Sequence, residues 1–119
     1  MSKLTIVALA AAAAPTATAT STGVDVSDFT GNGKVVLNAA QPAAGQTLDV
    51  KLQHSDTLGS GYVDSGVTFT QVTNAGGAAF EVKDLSLDQF KKFVRVVATI
   101  AGSATALPHA VTLVGNKAF

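Results

Sequence analysis

Cysteine and tryptophan are absent from this chain, and tyrosine occurs once. Without thiols there is no disulfide framework, no thiolate zinc site and no cysteine nucleophile. With one tyrosine and no tryptophan there is little aromatic surface on which a sugar stacks. Charge is scarce as well: Asp, Glu, Lys and Arg make up 13% of the residues, about half the usual roughly 25%. Eight basic residues balance eight acidic ones, so nothing draws the chain over long range to nucleic acid or to an anionic membrane, and neither is expected as a partner. What remains is a surface of Thr, Ser, Asn, Gln, Gly and Ala. Such a surface resists association weakly, which suits a subunit of a larger assembly or an extracellular module better than a free cytosolic enzyme. The 119 residues suffice for one domain that buries about two-thirds of its unfolded surface.

No stretch has the length and period of an ordinary helix, whereas alternation of period two recurs along the chain. Lys91–Ala101 is its fullest expression. Val94, Val96, Ala98 and Ile100 form one apolar face, and Phe93, Arg95, Val97, Thr99 and Ala101 a mixed one, as in a strand inside an antiparallel sandwich. Gln46–Ser55 alternates strictly, with Leu48, Val50, Leu52 and His54 opposite Thr47, Asp49, Lys51 and Gln53. Val24, Val26 and Phe29 are expected inside, followed by a tight turn at Gly31-Asn32-Gly33 into a strand over Lys34–Asn38. Gln41–Gly45 reads as a loop, and Asp56–Gly66 as a Gly/Ser-rich loop carrying Tyr62. Val67–Thr73 and Ala78–Lys83 read as a hairpin joined by Asn74-Ala75-Gly76-Gly77. Asp84–Phe90 offers one short helical turn with a Ser86-x-x-Gln89 capping box. His109–Val114 closes the chain. The sum is an all-β fold: a two-sheet antiparallel sandwich of about eight strands, jelly-roll-like, with one short helical turn near 84–90.

The first residues, MSKLTIVALAAAAAP, have the makeup of a secretory leader, with Lys3 ahead of an apolar run and small residues at Ala12–Ala14. The run is too short to span a membrane. Thr5, Ile6 and Val7 favour a strand, and the expectation is a retained strand over Leu4–Leu9 running into an extended arm. Thr16–Thr22, TATATST, reads as a Thr-faced strand. Residues 1–22 are thus an N-terminal apolar arm or strand, and 23–119 the β-sandwich domain.

The motifs that carry chemistry fail on inspection. Gly31-Asn32-Gly33-Lys34 is not a phosphate loop, because Asp28 and Val35 stand where that loop needs Gly and Ser or Thr. Gly59-Ser60-Gly61 is not a nucleophile elbow, since Leu58 and Tyr62 flank it. His54 and His109, even with Asp56, lack a metal-ligand spacing. Asp25, Asp28 and Asn32 depart from a calcium loop and lack its closing Glu. No catalytic residue, cofactor or metal is expected. Arg95, alone in the middle of its strand, needs a carboxylate or the surface; a cross-strand Asp such as Asp49 is expected to pair with it, and a partner contact is the functional alternative.

The segments STGVDVSDFTGNGKVVLNA, LDVKLQHSDTLGSGYVDSGVTFTQVTNAGG and KFVRVVATIAG, over residues 21–115, resemble capsid decoration (cement) proteins of tailed bacteriophages, small β-sandwiches encoded among virion structural genes. The resemblance rests on scaffold features, not on catalytic signatures. It implies a structural, non-enzymatic virion protein on the outer surface of an assembled capsid, put together in the host cytoplasm. There it would bridge major capsid protein subunits and associate with itself as a dimer or trimer. The candidate partner-binding residues are Leu4, Ile6, Val7 and Leu9 in the arm, and Tyr62. Deleting residues 2–15 is then expected to abolish shell binding or oligomerisation. A carbohydrate-binding module using Tyr62 as a stacking platform, and a tail or baseplate subunit, are the alternatives.

Overall fold

The computed structural model describes residues 3–13, 19–102 and 107–117. The strands are β1 (Lys3–Ala13), β2 (Ala19–Thr20), β3 (Val24–Asp25), β4 (Phe29–Ala39), β5 (Thr47–Ser55), β6 (Val63–Thr68), β7 (Val72–Thr73), β8 (Ala79–Ser86), β9 (Phe93–Ala101) and β10 (His109–Lys117), with one 3-10 turn at Leu87–Gln89. Sheet A has the order β1-β10-β4-β8; sheet B has β2-β9-β5-β6, with β3 also on β9 and β7 also on β5. All pairings are antiparallel.

The short strands are fragments of longer ones. β2 and β3 lie along the same edge of β9, where Ala19 faces Ala98 and Val24 faces Val94. β6 and β7 share an edge of β5, with Val63 opposite His54 and Val72 opposite Leu48. Joined this way, the segments make eight strands in two four-stranded sheets. The chain changes sheet at every step except from β5 to β6, and β1 and β10, first and last, are neighbours. That path is a jelly roll.

The two strands of strictest alternation form the middle of sheet B. β5 and β9 pair without a break from Thr47↔Ala101 to Ser55↔Phe93. Their inward residues Leu48, Val50, Leu52, Val94, Val96 and Ala98, all at most 2% exposed, meet Val35, Leu37, Val111 and Leu113 of sheet A, each at 0%. Val26 and Phe29 are buried as expected, and Val24 packs against the core. β1 is longer than its β-branched part, because pairing with β10 carries the alanines as far as Ala13, with register shifts after Ala8 and Ala10. Of the expected strand Thr16–Thr22, Ala19 and Thr20 form β2, and 14–18 lie outside the described residues, as do 103–106 of the loop before β10.

Three local expectations are corrected. Gly31-Asn32-Gly33 is not a hairpin turn: β4 runs straight through it, and the extra residues are absorbed as a bulge against β10, whose pairing jumps from Val114↔Lys34 to Asn116↔Thr30. Gly31 takes the left-handed φ of 71° that the bulge needs. Asn74–Gly77 does turn the chain, with the Gly77 N–H donating to the Asn74 carbonyl at 3.2 Å. The strands on either side are nevertheless not a hairpin, because β7 pairs with β5 in sheet B and β8 with β4 in sheet A. The capping box does not form: Ser86 makes no side-chain cap bond. Burial holds the turn instead, since Leu87 is 3% exposed and lies over Gly33 and Gly115. The Asp88 carboxylate also accepts the Gly31 N–H at 3.3 Å.

Candidate interaction surfaces

A two-sheet sandwich has two outer faces, and in this chain they differ in kind. On sheet A the register aligns three outward rows. Ile6, Val114, Lys34 and Asp84 form the first, Ala8, Thr112, Val36 and Val82 the second, and Ala110, Asn38 and Phe80 the third. Ile6 is 68% exposed, Phe80 71% and Val82 42%; of the other exposed large apolar residues among those described, Leu58 lies in the loop before β6 and Val63 opens that strand. The single charged pair on these rows, Lys34 with Asp84, is joined as a salt bridge.

Phe80 and Val82 point outward because the alternate residues of β8 are used inside. The Glu81 carboxylate accepts the Thr70 N–H at 2.9 Å and meets Lys83 at 3.5 Å, and Leu85 packs toward the core. These side chains sit at the seam where the free edges of β8 and β6 part around an open cleft of about 400 Å³, lined by Ser65, Thr68, Lys83 and Gln89 among others. Alternation alone would place Phe80 and Val82 in the core.

The outer face of sheet B is polar and tied together. Arg95 donates from Nε and Nη2 to Gln53 Oε1 at 2.9 and 2.7 Å, and its guanidinium lies 4.1 Å from the centre of the Tyr62 ring. Gln53 in turn donates to Asp64 at 3.0 Å, and Lys51 stands 2.9 Å from the same carboxylate. The Gln53 amide, followed by Lys51, holds the Asp64 carboxyl below its ordinary range. Asp49 is therefore not the partner of Arg95. It lies opposite Thr99 and accepts from Gln71 at 3.0 Å, whereas the register sets Gln53 directly across from Arg95. A neutral amide backed by a carboxylate serves in place of a direct ion pair.

The candidate contact residues do not fall on one surface. Ile6 stands on the outer face of sheet A. Val7 and Leu9 point the other way, Val7 against the core and Leu9 buried within it. The side chain of Leu4 lies outside the described residues. Tyr62 belongs to sheet B's face and is half-buried: Arg95 covers its ring, its hydroxyl donates to the Leu58 carbonyl at 2.8 Å, and a Cβ at Gly23 would fall 1.9 Å from the Tyr62 hydroxyl oxygen. As β1 is a strand of the sandwich, a truncation there also removes Leu9 from the core. Alternation by itself did not reveal Phe80, Val82, Val36 or Val114 as surface residues.

Among the described residues no three His, Asp or Glu side chains gather as metal ligands. Each histidine makes a local contact: His109 Nδ1 donates to the Leu107 carbonyl at 3.1 Å, and His54 Nδ1 accepts the Lys91 N–H at 3.2 Å beside the edge of Phe90. Burial, followed by Lys91, lowers the His54 pKa from 6.5, against an opposing pull from Asp56.

The strand order is that of a jelly roll. Comparison with solved structures finds it in the VP2 subviral particle of infectious bursal disease virus, at a TM-score of 0.53 and 12% identity over 98% of this chain and 32% of that one. A chain of the T13 particle of the same virus gives 0.54 and 9%, over 98% and 31%. The SPBc2 prophage-derived protein YomS gives 0.51 and 10%, over 97% of this chain and 96% of YomS. The chain thus spans about a third of the viral chains it matches and nearly the whole of the prophage protein. At these identities the likeness is one of fold. No family model matches the sequence, and no curated protein does.

Proposed function

We propose that this chain is a structural virion protein that binds the outer surface of an assembled phage capsid and stabilises it by bridging major capsid protein subunits. The observation that carries the reading is the uncovered apolar face of sheet A on a jelly roll of capsid type. A sandwich that buries its core well and still presents Ile6, Val82 and Phe80 to water is suited to being packed against protein. It acts by binding and not by catalysis. Each copy adds modest contact area, but an oligomer that touches several shell subunits gains effective concentration and dissociates slowly. Of the candidate contacts, Ile6 is assigned to this face. Tyr62 speaks against sugar binding, because Arg95 already occupies its ring face.

Co-sedimentation with mature, undecorated capsids of the source phage tests the reading, with unexpanded capsids as the control. Saturable pelleting with the mature shell alone is the expected result. No pelleting with either shell overturns it.

A further inference from the structure

We infer that the outer face of sheet A is covered by the same face of a second copy, in a two-fold, face-to-face dimer. The inference rests on the assembly reading above: it gives this face to the oligomer through which several shell subunits are bridged, and leaves the shell contact to the rest of the surface.

Area, charge and shape point to a second copy. Four strands about 4.8 Å apart, paired over about eight residues at about 3.4 Å each, give a face of about 500 Å². Two such faces bury about 1,000 Å², which reaches the lower bound for a specific interface and fits a weak dimer. The only charges on the three rows, Lys34 and Asp84, neutralise each other within one chain, so apposing two copies sets no unpaired charge against another. A strongly charged partner would find nothing to pair with. A twisted sheet face also finds its geometric complement in a sheet of the same twist, stacked at about 10 Å with strands about 30° apart. Two-fold closure uses the face once and leaves no copy of it exposed. Phe80, the largest and most exposed of the large apolar side chains on the face, is the expected anchor. The tethered polar face of sheet B then lies outermost on both sides of the dimer.

The test is sedimentation equilibrium of the full chain at concentrations up to about 200 μM, on wild type, Phe80→Glu, Val82→Lys and, as a control on the opposite face, Thr99→Lys. All three substitutions are at exposed positions, and far-UV circular dichroism checks that each variant is folded. The expected result is a wild-type dimer, weakened about 30-fold or more by Phe80→Glu and by Val82→Lys and unchanged by Thr99→Lys. A monomeric wild type overturns the inference, as does a dimer indifferent to both sheet A substitutions. Capsid pelleting of the same samples separates the two readings. A dimer that does not pellet removes the virion assignment and leaves the dimer standing. A monomer whose pelleting is lost with Phe80→Glu gives the face to the shell protein and removes the dimer.

Discussion

Leu87 fills a hole that two glycines make, and this predicts a specific pattern of coupling. A Cβ on Gly115 would lie 2.3 Å from Leu87 Cδ1 and 3.0 Å from Phe29 Cδ1, whereas a Cβ on Gly33 would lie 2.8 Å from Leu87 Cδ1 and 2.8 Å from the Val114 carbonyl oxygen. Leu87→Ala removes a buried side chain and is expected to cost about 2–5 kcal/mol. Gly115→Ala overfills the same space at about 1–3 kcal/mol. Combined, the new methyl occupies part of the cavity, so the double variant should be at least about 1 kcal/mol more stable than the sum of the singles. Gly33→Ala should behave differently, because its clash with the Val114 carbonyl persists after Leu87 is shortened; there Leu87→Ala should give much less relief. Urea unfolding of the five variants and wild type, followed by circular dichroism, measures all the terms. Additive energies for the Gly115 and Leu87 pair, or equal relief at both glycines, would refute the packing described for this turn.

Other expectations concern the faces and loops. Arg95→Ala removes the bonds to Gln53 and the contact with Tyr62; it should lower stability by about 1–2 kcal/mol and change the emission of Tyr62, the sole tyrosine in a chain without tryptophan. Unchanged melting and emission would dissolve the network. His54 has a folded pKa below its ordinary 6.5, so the unfolded chain binds more protons in that window. Stability should be fully present above 6.5, fall as pH drops through it, and level off below the folded pKa. His54→Gln should flatten that part of the profile, and an unaltered profile would remove His54 from it. Gly102→Ala places a Cβ 1.9 Å from the Gly45 carbonyl oxygen at a φ of +86°; it should be more damaging than Gly31→Ala, which has a φ of +71° but open space. Equal melting temperatures would contradict that ranking.

Much of the architecture was legible where burial and alternation agree. β5 and β9 show their core faces directly, since every second residue from Leu48 to Leu52 and from Val94 to Ile100 is apolar and buried. Partner choice was not legible. Asn74–Gly77 announces a reversal in the same way whether the next strand returns to its own sheet or crosses to the other. The apolar face was hidden for a related reason: at the edge strand β8 the inward side opens on a cleft, so Glu81 and Lys83 are tolerated inside while Phe80 and Val82 stand outside. The bulge at Gly31 uses the residue types of a tight turn because both demand the left-handed backbone. Arg95 shows the limit for charges, as a strand residue bonds what lies across the ladder, and register comes from pairing that the sequence does not print.

The neighbouring of β1 and β10 has a consequence for how the chain is made. Residues 3–13 are synthesised about a hundred residues ahead of their partner, His109–Lys117. On a ribosome moving at about 5–20 residues per second, the first strand waits about 5–20 seconds without its mate and cannot join its sheet until β10 has been made. Sheet A is therefore completed only when β10 enters between β1 and β4. Throughout that wait, Ile6, Val7 and Leu9 are open to any other strand edge, including the same segment on a neighbouring polysome.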